Sequence, residues 1–385
     1  MNFGYGNMNE LATIGSLQSE QYDVRTPAYI YDLEYLKARV GGIRETFREQ
    51  EIELLYATMA NDLPEILQVM RNGAVGACVN SMKHLSLALS IGFDRSKIQF
   101  TSTGIPVTDL HQLQEQHIAV NLDSPRQLKN WFRNGTRAKA GLRINAASLV
   151  PDGKWISDRI GVAAESVPQI VYDCMSRDET INGLHVYLGT NFLSIETLLP
   201  RIERLFEIAD EIPKLEYVNI GGGIGVDYSG AGREFPIQRY AEAIGDIVKR
   251  HRSETKRPLR VLVEPGRAMV ATAAVYVTTV TDIKELNGDR FVAVDGSVAT
   301  FPRPLHHPES LHAVVYVGNA DGDLMQTHVV GRTTFSKDIL SKCLLPKDLE
   351  CGDKLVFRYA GAYSYSMSSR FLGQVDPEIR FLKAS

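Results

Sequence analysis

The sequence predicts an α/β protein: a (β/α)8 TIM barrel followed by a C-terminal all-β barrel domain. Short apolar runs rich in β-branched residues alternate with amphipathic helical patterns from residue 33 to residue 269, as strands and helices do in such a barrel. Beyond that region, short strands separated by turns replace the helical patterns, which is typical of a sheet domain. Glycine and polar residues collect where the apolar runs end, and a barrel of parallel strands forms its active site at those ends.

Eight strands, each flanked by a helix, make up the predicted barrel at residues 33–269. An open, doubly wound sheet is the alternative, but no strand end carries the nucleotide-binding fingerprint common in that fold. The predicted strands are 52–57, 74–79, 97–101, 118–122, 140–144, 183–188, 216–220 and 260–263. The predicted helices are 33–50, 64–71, 83–91, 107–116, 125–132, 165–175, 195–212 and 237–252.

The second domain is predicted from residues 270–385 together with residues 1–32. The boundary falls near Val270, where the pattern changes from helical to extended. A strand at 27–31 precedes the barrel in the chain, and we expect it to pair with this domain. The other predicted strands are 275–280, 291–294, 313–317, 328–330, 354–359 and 378–382.

Composition excludes several classes of function. The net charge of -4 provides no strong positive field, so we expect no nucleic-acid partner and no membrane-surface partner. The four cysteines lack CxxC spacing, so neither a disulfide framework nor a zinc site is predicted. No signal-peptide pattern and no apolar run of about 20 residues is visible, which favours a cytoplasmic protein.

Two motifs at neighbouring strand ends predict anion binding. The predicted strand at 216–220 runs into three consecutive glycines, Gly221, Gly222 and Gly223. Such a run lets the backbone approach an anion and direct several N–H groups at it. The glycine run does not match GxGxxG, so a dinucleotide site is not predicted. A turn that merely saves space is the alternative interpretation of the glycines alone.

The second motif is Glu264-Pro-Gly-Arg267, which follows the last barrel strand. It supplies a buried carboxylate and a positively charged side chain at the same edge of the predicted sheet. Together the two motifs indicate a phosphorylated ligand at the open end of the barrel.

In order and spacing, the strand-end motifs resemble those of the alanine-racemase-like, fold-type III pyridoxal-phosphate decarboxylases. That family includes diaminopimelate, ornithine and arginine decarboxylases and carrier-protein-bound glutamate decarboxylases. The resemblance covers most of residues 25–382. The matching segments are Thr26-Pro-Ala-Tyr-Ile-Tyr-Asp32, Tyr56-Ala-Thr-Met-Ala-Asn61, Gly141-Leu-Arg-Ile-Asn145, Gly183-Leu-His-Val-Tyr-Leu-Gly-Thr190, Asn219-Ile-Gly-Gly-Gly-Ile-Gly-Val-Asp-Tyr228, Glu264-Pro-Gly-Arg267, Arg303-Pro304 and Gly361-Ala-Tyr-Ser364.

The resemblance implies pyridoxal 5'-phosphate as the cofactor. The glycine run matches the family's phosphate-binding loop, and Arg267 and Tyr363 match side chains near that phosphate. Glu264 matches the carboxylate that pairs with the pyridine nitrogen and keeps it protonated, so that the ring can absorb electrons. Tyr187 stands where many members have a histidine stacked on the ring.

The resemblance also implies substrate contacts and a partner. Arg303 matches an arginine that binds a remote substrate carboxylate in the diaminopimelate branch, and Arg143 belongs to the same predicted substrate-binding set. His185 lies at the same rim, either as a catalytic group or as a hydrogen-bonded barrel histidine. The implied substrate is an amino acid, free or carrier-bound, and the implied assembly is a homodimer with shared active sites.

Four positions depart from the family pattern. Met59 replaces the lysine that forms the Schiff base, and a thioether cannot form an imine. Thr334 replaces a proton-donating cysteine, although a threonine hydroxyl is a much weaker acid. Cys78 replaces an aspartate, and Met82-Lys83-His84 replaces Gly-Gly-Glu. Linked changes of this kind favour natural divergence over a single engineered change, and they predict a cofactor that is bound without a covalent link.

These observations lead to three hypotheses about function. The first is a pyridoxal-phosphate-dependent amino-acid decarboxylase of the diaminopimelate or ornithine type in a specialised biosynthetic pathway, with chemistry altered or trapped at Met59. The second is a catalytically inactive homologue that binds or regulates a partner. The third is lysine-independent chemistry on an amino substrate that is already joined to the cofactor. Lys83, near the same rim, is either a substitute amine or, as we favour, a solvated residue at a helix start.

No metal site is predicted. His306, His307 and His312 lie in a proline-rich segment without a nearby carboxylate pair, so we interpret them as residues of a surface loop.

Overall fold

The computed structural model describes residues 24–133, 135, 138–150, 159–318 and 323–382. The chain divides into two compact units. The barrel unit consists of Arg39–Gly225 and Phe235–Gly266; the β unit consists of Val226–Glu234 and the described residues of 24–38 and 267–382. Residues 1–23, which we predicted to join the β domain, lie outside the described residues. Among the described helices, none is both long and apolar enough to cross a membrane.

A closed barrel of eight parallel strands confirms the predicted fold class and excludes the open sheet. Strand β1 (Ala28–Asp32) and helix α1 (Leu33–Arg48) precede it in the chain. Each barrel strand pairs in parallel with the next, and the last closes the ring on the first. The barrel strands are β2 (Ile52–Ala57), β3 (Gly76–Val79), β4 (Ile98–Thr101), β5 (Ala119–Leu122), β6 (Ala140–Ile144), β7 (Gly183–Val186), β8 (Tyr217–Asn219) and β9 (Arg260–Val263).

The helices of this region follow the predicted order, with shifted ends. Helix 195–212 of the prediction begins only at Leu199, where Pro200 occupies the first turn, a position that tolerates its missing N–H. The Ser81 hydroxyl accepts a hydrogen bond from the His84 amide at 3.2 Å and caps one helix start. The helices are α2 (Pro64–Asn72), α3 (Met82–Ile91), α4 (Val107–Glu115), α5 (Pro125–Phe132), α6 (Ala146–Leu149), α7 (Val167–Met175), α8 (Leu199–Asp210) and α9 (Ile237–Thr255).

The Tyr217 ring fills part of the barrel interior and explains two glycines in the neighbouring strands. A Cβ at Gly141 or at Gly183 would overlap the Tyr217 side chain. The ring packs with Leu55 and Leu262, and the barrel interior is therefore a filled core.

The β unit is built on an eight-stranded sheet of mixed direction. The pairing order is β12-β15-β10-β11-β13-β14, and β1 pairs antiparallel with β10 and parallel with β16. The predicted pairing of the 27–31 strand with this domain is confirmed. Among the described strands the pairings are open and branched rather than a ring, because β10 pairs with β1, β11 and β15. The strands are β10 (Ala274–Leu286), β11 (Asp289–Val294), β12 (Val314–Val317), β13 (Leu324–Val330), β14 (Ile339–Pro346), β15 (Lys354–Phe357) and β16 (Glu378–Leu382), with short helices α10 (Arg267–Val270) and α11 (Arg303–His306).

Two strands differ from the prediction for a physical reason. Strand β10 continues six residues past the predicted end at Val280, because its exposed second half carries charged residues and shows no apolar pattern. Strand β14 was missed, because its buried and exposed positions do not alternate.

Candidate active site

Glu264 is the centre of the site in the barrel unit, directly after β9. Its side chain is buried, and its Oε1 accepts a hydrogen bond from Asn219 Nδ2 at 2.6 Å. Its Oε2 lies 3.3 Å from His185 Nε2. The strand register sets Asn219 of β8 opposite His185 of β7 on one side and Leu262 of β9 on the other. Parallel pairing thus brings together three polar groups that are far apart in sequence.

The electrostatics of this group favour a negative Glu264 beside a neutral His185. Burial raises the pKa of Glu264, but attraction to His185 and hydrogen bonds from His185, Asn219 and Cys78 outweigh it and hold the pKa below its ordinary value. Burial lowers the pKa of His185, which attraction to Glu264 only partly opposes. Because a carboxylate can only accept, the His185 Nε2–H donates to it, and Nδ1 has no hydrogen-bond partner among the described residues.

The glycine loop after β8 combines tight packing with available amide groups. Gly221 has φ of 68°, and a Cβ there would overlap the Val186 carbonyl oxygen. A Cβ at Gly222 would lie 2.5 Å from the Glu264 carbonyl oxygen. The partly exposed Gly222 and Gly223 N–H groups donate to no acceptor in the described part of the chain. The space-saving interpretation therefore applies to Gly221 and Gly222, whereas anion binding by this loop stays a prediction.

Arg143 places a positive charge at the same end of the barrel. It lies at the end of β6, is buried, and its guanidinium carbon is 5.9 Å from the centroid of the half-buried Tyr187 ring. Burial lowers the pKa of Arg143, and the charge of Glu264 partly opposes this. Its Nε is buried and has no hydrogen-bond partner among the described residues.

Met59 occupies a short 3-10 turn, Thr58–Ala60, directly after β2. Its side chain is half-buried and packs against the interior cluster that includes Leu55, Cys78 and Tyr217. The Thr58 hydroxyl donates to the Cys78 carbonyl at 3.0 Å and ties the turn to the next strand. The assignment of Met59 to the position of the family's lysine stays a prediction.

A polar cluster that we did not predict lies beside this turn. His84 Nδ1 is 2.8 Å from Asn80 Oδ1 and His84 Nε2 is 3.4 Å from Asp62. Lys83 is exposed and lies 3.2 Å from the same carboxylate. The hydrogen bond with His84 lowers the pKa of Asp62 to about 2, against the effect of burial. Lys83 is thus in an ion pair at a helix start, which supports its interpretation as a solvated residue.

The β unit has a separate cationic cluster around Tyr228. Arg267 donates from Nη1 to the Tyr228 hydroxyl at 2.6 Å, and its guanidinium carbon is 4.6 Å from the Tyr363 ring centroid. The Arg303 guanidinium carbon is 3.3 Å from the Tyr228 ring centroid. Arg303 also donates to the Ser310 carbonyl at 2.6 Å. Burial lowers the pKa of Arg303 to about 10, so it remains a cation at neutral pH.

His312 corrects one sequence prediction. We expected a surface loop, but the His312 side chain is buried, with ring centroids of Tyr228 and Phe301 both at 4.6 Å. It hydrogen-bonds the Arg358 carbonyl through Nδ1 at 2.6 Å. These contacts join segments that are distant in sequence. The residues next to His312 in the chain therefore could not predict that it is buried.

Thr334 lies exposed in the turn between β13 and β14. The adjacent Thr333, rather than Thr334, hydrogen-bonds Asp338. The predicted role of Thr334 at the cysteine position stays a prediction.

Comparisons with known proteins find similar sequences. Residues 33–271 match the family described as pyridoxal-dependent decarboxylase, pyridoxal binding domain. The chain is 29% identical over 373 residues to the probable chloroplastic diaminopimelate decarboxylase of Oryza sativa subsp. japonica, covering 92% of this chain and 74% of that one. It is 28% identical over 364 residues to diaminopimelate decarboxylase of Helicobacter pylori, covering 90% and 88%.

Solved structures agree as well. The crystal structure of Helicobacter pylori diaminopimelate decarboxylase complexed with L-lysine has a TM-score of 0.84 at 25% identity and covers 96% of this chain and 93% of that one. The arginine decarboxylase of Paramecium bursaria Chlorella virus bound to agmatine has a TM-score of 0.84 at 19% identity, covering 97% and 100%, and supports the fold alone.

Proposed function

Since this chain belongs to the pyridoxal-dependent decarboxylases, whose pyridoxal-binding domain matches residues 33–271, we propose that it holds pyridoxal phosphate without a covalent link and acts there on an amino acid as a carboxy-lyase. The proposal rests on one combination: an intact glycine loop and buried acid, with Met59 in place of the amine.

The residues present suit the cofactor. The glycine loop leaves no space for a Cβ at Gly221 and has unused N–H groups at Gly222 and Gly223 among the described residues, which suits a phosphate. The pKa of Glu264 is held below its ordinary value, and the resulting carboxylate suits a protonated pyridine nitrogen. These features recognise the two ends of the cofactor and do not require a lysine.

The bound cofactor supplies a ring that accepts the electron pair left when carbon dioxide departs. Glu264 stabilises positive charge on the ring nitrogen, and neutral His185 holds one Glu264 oxygen in place at 3.3 Å. Tyr187 offers an aromatic face where the family stacks a histidine. Arg143, near the end of β6, supplies a positive charge that would attract a negative group of the ligand.

A substitution at Met59 separates the three hypotheses. Carbon dioxide release is measured from a panel of amino acids for the wild type and for Met59→Lys. Activity only in Met59→Lys would mean that the imine residue alone is missing. Activity in both supports lysine-independent chemistry. Binding of pyridoxal phosphate without activity in either protein favours a regulatory homologue, and no binding by either contradicts the proposal.

The substrate is proposed to carry a second carboxylate, bound by Arg303. Two of its nitrogens contact Ser310, and its Nε has no partner among the described residues. Dicarboxylic and monocarboxylic amino acids of equal length, compared in the same release assay, test this. Equal rates for the two classes would contradict the assignment.

A homodimer is also proposed from the family resemblance, with Thr334 and Tyr363 contributing to the partner's site. Light scattering of the purified chain gives its mass directly, and a monomer at all concentrations would contradict this arrangement. The cytoplasmic location stays a prediction.

A further inference from the structure

We propose that Asn219 is a positioning residue that couples the glycine loop to Glu264. The inference deepens the proposed function, because the two groups it joins are those that would contact opposite ends of the cofactor. Asn219 lies at the end of β8, two residues before Gly221, and its side chain is fully buried.

Both ends of the Asn219 amide are in use. Its Oδ1 accepts from the Gly221 N–H at 2.9 Å, and its Nδ2 donates to Glu264 Oε1 at 2.6 Å. An N–H can only donate and a carboxylate can only accept, so this pair of contacts fixes the orientation of the amide. One side chain thus sets the position of the first loop glycine and of the acid.

A third contact restrains the amide against rotation. Asn219 Nδ2 also lies 2.7 Å from Gln99 Oε1, and Gln99 in turn accepts from Asn121 at 3.2 Å. The Tyr217 hydroxyl donates to Asn121 at 2.9 Å. The amide is therefore held by a chain of side chains across the barrel interior, and fully satisfied buried networks of this kind are rigid.

The backbone supplies a second connection between the same two groups. The Glu264 N–H donates to the Gly221 carbonyl at 2.8 Å. Gly221 and Glu264 are thus linked once through the main chain and once through Asn219. Loss of Asn219 leaves the main-chain link but frees both the Gly221 N–H and one Glu264 oxygen, and unsatisfied buried groups are costly.

The alternative is that Asn219 only fills a polar position in the barrel interior. Asn121 provides the matched control, since it is equally buried and also bonds Gln99. It also bonds Thr101 and Tyr217, and none of its side-chain hydrogen bonds among the described residues reaches Gly221 or Glu264. A structural role alone would make the two asparagines equivalent.

The test compares dissociation constants of pyridoxal phosphate and of pyridoxal, measured by equilibrium dialysis on the full chain. For Asn219→Ala we expect the dissociation constant of pyridoxal phosphate to rise about tenfold or more, because the glycine loop loses its hydrogen bond to the Asn219 side chain. The dissociation constant of pyridoxal should rise about threefold or less. For Asn121→Ala both constants should change by about threefold or less, whatever the loss in melting temperature.

A second variant distinguishes a positioning role of Asn219 from the mere filling of its buried position. Asn219→Asp keeps an acceptor for Gly221 but sets a carboxylate against Glu264, and like charges at this distance raise the pKa of one of them. We expect the absorbance of bound pyridoxal phosphate to titrate at a different pH in this variant than in the wild type. If Asn219→Ala does not fold, this titration decides the question alone.

The outcomes are distinguishable from failure of the proposed function. Wild type that binds no pyridoxal phosphate contradicts the proposed function, and the inference with it. If the wild type binds pyridoxal phosphate, two results would overturn the role of Asn219 and leave the proposed function intact. One is an equal ratio of the two dissociation constants in Asn219→Ala and Asn121→Ala. The other is an unshifted titration in Asn219→Asp.

Discussion

The barrel unit and the β unit each concentrate buried charge, and they stabilise it by different means. In the barrel unit, the Glu264 carboxylate is held by directional hydrogen bonds from Asn219 and His185. In the β unit, Arg267 and Arg303 lie against the Tyr228 ring and bond neutral oxygens. Directional bonds depend on strand register, whereas ring contacts tolerate small displacements. Changes in geometry should therefore harm the barrel site more than the β-unit cluster.

The largest effect is expected for Gly221→Ala. The new methyl group would overlap the Val186 carbonyl, and φ of 68° is unfavourable for alanine. We expect a loss of about 3 kcal/mol in the free energy of unfolding, from overlap and strain together. Urea denaturation measures it, and binding of pyridoxal phosphate should fall as the loop moves.

Gly232 in the β unit is the matched control. Its φ is 75°, but a Cβ added there would meet no described atom within 4 Å. Gly232→Ala should therefore cost only about 1 kcal/mol, from the backbone conformation alone. Equal losses in the two variants would mean that close packing at the glycine loop contributes nothing.

A smaller effect is expected for Arg303→Lys in the β unit. An ammonium keeps the charge but cannot lie flat against the Tyr228 ring 3.3 Å away, nor reproduce both contacts with Ser310. We expect a loss of about 1–2 kcal/mol by urea denaturation. The control is Arg358→Lys, because Arg358 lies 4.7 Å from the Tyr359 ring and is less buried. A greater loss in the free energy of unfolding for Arg358→Lys than for Arg303→Lys would contradict the importance of the contact between Arg303 and the Tyr228 ring.

The smallest effect concerns pH and two aspartates of the barrel unit. The folded pKa of Asp62, about 2, lies below its ordinary 3.8. Its contribution to stability is therefore fully present above pH 3.8 and is lost as the pH falls through about 2. Burial instead raises the pKa of Asp123, so its contribution is present below pH 3.8 and is lost as the pH rises through the folded value.

Asn substitutions at the two positions should thus act in opposite directions. The free energy of unfolding is measured by urea denaturation from about pH 6 down to the acid limit of folding. As the pH falls, this free energy should decrease less in Asp62→Asn than in the wild type. In Asp123→Asn it should decrease more than in the wild type. The same sign for both variants would contradict the assigned environments.

Sequence reasoning found the parts of the site that adjacent residues define. Gly221 and Glu264 each follow an apolar strand, so periodicity alone located them. Asn219 gave a weaker signal, a polar residue inside the apolar run at 217–220, and its meaning appeared only when β8 paired with β9.

The other polar clusters of the two units depend on contacts between distant segments. Tyr228, Arg303 and His312 meet through loops whose path no periodicity specifies. His84 and Asp62 meet because the turn after β2 and the start of α3 lie side by side. Pairings of this kind are fixed by packing, and a single sequence does not reveal them.

Above all, the protein should hold its cofactor at the glycine loop and the buried acid without an imine. Borohydride treatment of the protein with pyridoxal phosphate, followed by intact-mass measurement, tests this most directly. We predict cofactor that stays with the untreated protein on dialysis but adds no mass after reduction. A mass increase equal to one reduced cofactor, mapped to a lysine, would contradict it.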